Sequence, residues 1–135
     1  MSYQDLELAL PEVLRAFYAR VRQDDQLGPI FNSAVYDWDE HLERIADFWS
    51  SVMLGTGRYK GNPVARHLPH AAQINRAKFD RWLELWRETT SLMLPAEVAA
   101  GLQTKAERIA ESLILAMQFP SPAQRTMMAK MAADR

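Results

Sequence analysis

Apolar residues return along the chain with the 3.6-residue period of helices, and no two-residue alternation is sustained over a strand length. Ser2, with Asp5 three residues on, predicts the cap of a short helix reaching Leu10, and Pro11 suits the first turn of a second one. On that second helix Leu14, Phe17, Tyr18 and Val21 fall at i, i+3, i+4 and i+7. The stretch Asp24–Pro29 ends it, and Pro29 to Asn32 predicts a turn carrying the Phe31 ring inward. From Trp38 to Met53 the pattern is helical again, with a start near Asp37 or Asp39. His41, Ile45, Phe48, Trp49 and Val52 share one arc of it, so a histidine heads an apolar stripe. Gly55 and Gly57 stop this helix, Arg58 to Pro63 forms a loop, and a short segment bearing His67 follows, interrupted by Pro69. Phe79, Trp82 and Trp86 then recur at i, i+3 and i+7 on a helix running to about Leu92. Pro95 restarts the chain into a long amphipathic helix through Leu102, Ala106, Ile109, Leu113 and Ala116, ending before Pro120. Ser121 to Gln124 resembles a capping box with Pro122 at the first helical position, opening a short tail helix with Met127, Met128 and Met131. The expected fold class is all-α.

Composition narrows the class. A length of 135 residues suits one domain, and a hydrophobic share of 48% describes a globular chain. With no cysteine, disulfides, thiolate metal sites and thiol catalysis are excluded. Sixteen basic residues balance seventeen acidic ones without a run of either sign, so no nucleic-acid partner is expected. No apolar run approaches a membrane span and no signal-peptide pattern opens the chain, which leads to the expectation of a cytoplasmic protein without a membrane partner. A Gly-rich phosphate loop and a GxSxG elbow are both absent.

Candidate chemistry rests on polar groups set in apolar stripes: Tyr18, His41 and Trp82, with His67 in its Pro-bounded segment. A buried hydroxyl or imidazole without a partner costs a few kcal/mol. Taken singly, each could simply bond a backbone carbonyl. A metal held by His41, His67 and His70 with nearby carboxylates is a further possibility, although Pro69 disfavours a regular helical pair of the last two.

The blocks FYARVRQDDQLGPIF, EHLERIADFWSSVMLGTGRY, GNPVARHL and FDRWLELW, in that order, closely resemble the group III truncated haemoglobins over about residues 10 to 118. The stretch from Pro69 to Phe79 departs from that pattern in length and charge, and the tail after Pro120 has no counterpart. The resemblance implies a truncated globin domain over 1–118, a two-over-two helical sandwich around haem b, followed by a Met-rich tail over 119–135. It implies His67 as the proximal iron ligand and Tyr18, His41 and Trp82 as the distal residues. Phe31 would pack on the haem; Ile45, Phe48, Trp49, Leu54, Tyr59, Leu68, Ile74, Phe79 and Trp86 would line the pocket. Arg66, and less strongly His70, would meet a propionate.

The implied function is reversible binding of O₂ and other diatomic gases, NO and CO among them, under polar distal donors. Two alternatives stand beside it. One is an NO dioxygenase or peroxidase-like enzyme on the same scaffold, drawing electrons from a separate reductase. The other is a haem-free helical interaction module, with the aromatic residues as plain core.

Overall fold

In the computed structural model, which describes residues 1–118 and 122–133, Ser2 caps the first helix with a reciprocal pair of hydrogen bonds to Asp5. That helix, α1, spans Tyr3–Gln23 as one element, with Pro11 inside it. The expected break at Pro11 is absent. A proline deletes one N–H donor, but Leu6, Leu10, Val13 and Leu14 on both sides of it bury into the same core and hold the turns in line.

A second correction concerns the expected turn at Pro29–Asn32, which is a helix, α2 (Gly28–Ala34), with Pro29 in its first turn. Next comes α3 (Trp38–Leu54), capped by the Asp37 carboxylate and ended by Gly55 in the left-handed region at φ 68°. Then α4 (Pro63–His67), capped by Asn62, runs into a 3₁₀ turn (Leu68–His70). Two long helices follow, α5 (Arg76–Met93) and α6 (Ala96–Gln118), and α7 (Pro122–Ala133) comes last. The tail helix is therefore present, while the expected Ser121 cap lies outside the described residues. Among the described residues there is no strand.

Two antiparallel pairs build the fold. Ser50 bonds Glu7 and the His41 ring meets Tyr18, so α3 runs back along α1. Gln103 bonds the Thr90 hydroxyl and Arg76 pairs with Glu111, so α6 runs back along α5. The pairs meet where α1 packs on α5, giving the two-over-two sandwich. The main core, centred on Leu14, Phe17, Trp49, Trp86 and Leu102, lies between them. A second apolar cluster of Phe79, Ala110, Leu113 and Ile114 takes in Val64 of α4 and Ile74. Leu83 and Ile109 touch both clusters. No helix among the described residues is long and apolar enough to cross a membrane.

Candidate functional site

Tyr18 sits on the buried face of α1, and other rings gather around it. Its centroid is 5.8 Å from Phe31 of α2, 5.8 Å from Trp38 of α3 and 6.1 Å from His41 of α3. Burial pushes the Tyr18 hydroxyl up to a pKa of about 12, and a hydrogen bond from the Trp82 side chain draws it back only in part. The phenol is therefore protonated, and a donor, throughout the physiological range.

From α5 comes Trp82, half-buried, edge-on to Phe17 at 5.3 Å and stacked on Trp86 at 5.9 Å. His41 is half-buried, T-shaped against both Tyr18 and Trp38. Burial lowers its pKa first; the nearby charges of Arg44, Arg66 and His67 lower it further. The charges that act on the α3 imidazole thus include two from α4, Arg66 and His67.

His67 closes the single regular stretch of α4, four residues after Pro63, and the helical repeat carries its ring back over that proline. Its Nδ1 is 2.6 Å from the Pro63 carbonyl oxygen. A carbonyl only accepts, so Nδ1 holds the proton and Nε2 keeps its lone pair. Burial lowers the His67 pKa, the Pro63 hydrogen bond works against that, and His70 adds to the lowering. A neutral, oriented imidazole with Nε2 available is the form that ligates a metal.

The expected lining residues divide between the two clusters. Ile45, Phe48 and Leu54 are half-buried against the main core, while Ile74 and Phe79 belong to the second. Phe48 packs edge-on to Tyr59 at 5.3 Å, and the Tyr59 N–H donates to the Ser51 hydroxyl. Trp49 and Trp86 are fully interior, stacked at 4.8 Å and 18°, with the Trp86 Nε1–H donating to the Leu102 carbonyl. Leu68 is buried; His70 is half-buried and Arg66 exposed. The metal site imagined from His41, His67 and His70 is not formed: among the described residues no three His, Asp or Glu side chains group to hold an ion. A surface cleft of about 300 Å³ between Glu7, Glu43, Asp47 and Arg58 carries none of the expected site residues.

Two arrangements escaped the sequence reading. Trp38 stands three residues before His41, on the same helical face, and its ring contacts both His41 and Tyr18. That spacing alone could have flagged it. The Asp24–Arg81 pair, 2.8 Å apart, locks the corner after α1 to α5. It joins residues 57 apart and left no local signal.

Comparison with known proteins gives consistent matches. The bacterial-like globin family pattern fits residues 6–118. A group 3 truncated haemoglobin of Campylobacter jejuni is 33% identical over 106 residues, covering 76% of this chain and 83% of that protein. The crystal structure of a group III truncated haemoglobin from Campylobacter jejuni superposes with a TM-score of 0.74 at 31% identity, covering 82% of this chain and 90% of the other.

Proposed function

The chain belongs to the bacterial-like globin family, in its group III truncated branch, and from that premise we propose that it binds haem b through His67 and holds O₂ reversibly beneath Tyr18, Trp82 and His41. The family implies haem-based binding of small gases. The observation that carries the finer reading is the His67 tautomer: with Nδ1 donating to the Pro63 carbonyl, Nε2 is left free to ligate iron. Ferrous haem supplies a coordination position for a diatomic gas; the chain's part is to hold, shield and polarise.

On the proximal side, burial keeps the His67 imidazole neutral, so no proton has to leave Nε2 before it ligates. On the distal side, the Tyr18 phenol offers an O–H donor to a gas that draws negative charge, and the Trp82 indole, whose N–H donates to the phenol oxygen, orients that donor. Hydrogen bonds to charged groups are worth roughly 1.5–3 kcal/mol, which favours O₂ over the less polar CO. Arg66, exposed next to His67, is suited to a haem propionate. A reductase partner would convert the same pocket into an NO-consuming enzyme, and the rate of NO loss from the oxygenated protein in single turnover separates carrier from catalyst.

Spectra of the ferric, ferrous, oxygenated and CO forms test the reading directly. The purified chain should show a Soret band, and His67→Ala should fail to retain haem through gel filtration. Full retention by His67→Ala would reassign the ligand.

A further inference from the structure

His41 is held in an unusual way. Among the described residues its ring nitrogens make no hydrogen bond to the protein, so only packing sets where the imidazole points. One of the two rings it rests against, Trp38, is itself half-buried at the first position of α3. A terminal helical residue on the surface would ordinarily sample several rotamers. Here it is pinned from outside. The Arg22 guanidinium lies 4.7 Å from the centre of the Trp38 ring, and Arg22 is in turn fixed by α2. Its Nε donates to the Asn32 Oδ1 at 3.0 Å, while the Asn32 amide donates back to the Arg22 carbonyl at 3.1 Å.

The guanidinium thus packs on the indole, and indole and imidazole, in contact with each other, both rest against Tyr18. The geometry points to Trp38 as a positioning residue for His41, clamped by Arg22 and Asn32, that keeps the imidazole against Tyr18 and so sets how readily a gas passes it. The reasoning is steric and electrostatic. Trp38 meets His41 at 5.4 Å with their planes at 84°, an edge-to-face contact that is directional and resists rotation of the smaller ring. Arg22 gains from the indole face only while Trp38 keeps its present rotamer, so the cation selects the rotamer that confines His41. Removing the guanidinium or the indole frees the imidazole to swing outward without unfolding any helix.

The inference rests on the haem-site reading above, and the experiment keeps the two apart. In the haem-loaded full chain, CO rebinding after photolysis and the ring-current shifts of the His41 protons in the ferrous CO form are measured for the parent, Trp38→Phe, Trp38→Ala, Arg22→Gln, His41→Gln and the Arg22→Gln/His41→Gln pair. Arg22→Gln and Trp38→Ala should each speed CO association at least threefold and shift the His41 signals, while Trp38→Phe, which keeps a ring, stays within twofold of the parent. In the His41→Gln background, Arg22→Gln should change nothing further, because its influence runs through the imidazole. Arg22 lies on the surface, so Arg22→Gln decides even if Trp38→Ala fails to fold. Parent-like rates and His41 signals in Arg22→Gln overturn the clamp, as does an equal effect of Arg22→Gln with and without His41. A parent chain without a Soret band or CO complex would instead overturn the haem reading.

Discussion

Tyr18 has the geometry of a donor and the surroundings that keep it one. Its hydroxyl cannot lose its proton at any physiological pH, and Trp82 engages its oxygen while leaving the O–H free to donate elsewhere. Tyr18→Phe should therefore raise the O₂ dissociation rate by about tenfold or more, from the 1.5–3 kcal/mol of a hydrogen bond to a charged acceptor, and move CO dissociation far less. Stopped-flow displacement of each gas checks the ratio; equal changes for both would mean lost packing, not a lost donor. Gly28 carries a different kind of constraint. A Cβ there would lie 2.6 Å from the Arg22 carbonyl oxygen, a backbone atom that cannot move aside. Gly28→Ala should destabilise the fold by about 1–3 kcal/mol in chemical denaturation. Single residues of this second kind could not be recognised beforehand: in the sequence Gly28 is simply part of the stretch that ends a helical pattern, and the close approach that requires it appears only once α2 has docked.

Between elements, the corner joining α1 to α2 is fastened to α5 by Asp24. Burial pushes this carboxyl up, but the Arg81 hydrogen bond and the N–H groups of Leu27 and Gln26 outweigh it and hold its pKa below the ordinary value. The unfolded chain then takes up a proton at higher pH than the folded one, so the stabilisation is complete above about pH 4 and is lost as pH falls through the folded value. Asp24→Asn should melt below the parent at pH 7, and the gap should close under acid; a constant gap would assign the loss to shape instead of charge. Helix bounds, by contrast, were largely legible. The Ser2 and Asp37 caps, the Gly55 stop and the Pro95 restart are local chemistry and lie where the side chains predict. Pro11 and Pro29 misled because a proline's effect depends on whether packing on either side sustains the helix through it.

For the molecule as a whole, the family and its two-over-two sandwich were readable from spaced aromatic blocks, since α1, α3 and α5 each carry a large ring into one interior. What the spacing could not convey is the partition of the candidate site between two apolar clusters. The distal rings belong to the main core, while the His67 helix is five residues long and packs chiefly against α6 through the second. So short a helix has no standing stability of its own and depends on what it touches. Backbone amides from Arg66 to Ala71 should thus exchange with deuterium much faster in the pigment-free chain than those of α6, and slow sharply on loading, whereas α6 changes little. Seen this way, a short stretch that leans on its neighbours for order is the one proposed to grip the iron. Capture of the prosthetic group would then be the last act of folding, with the proximal turn reporting it.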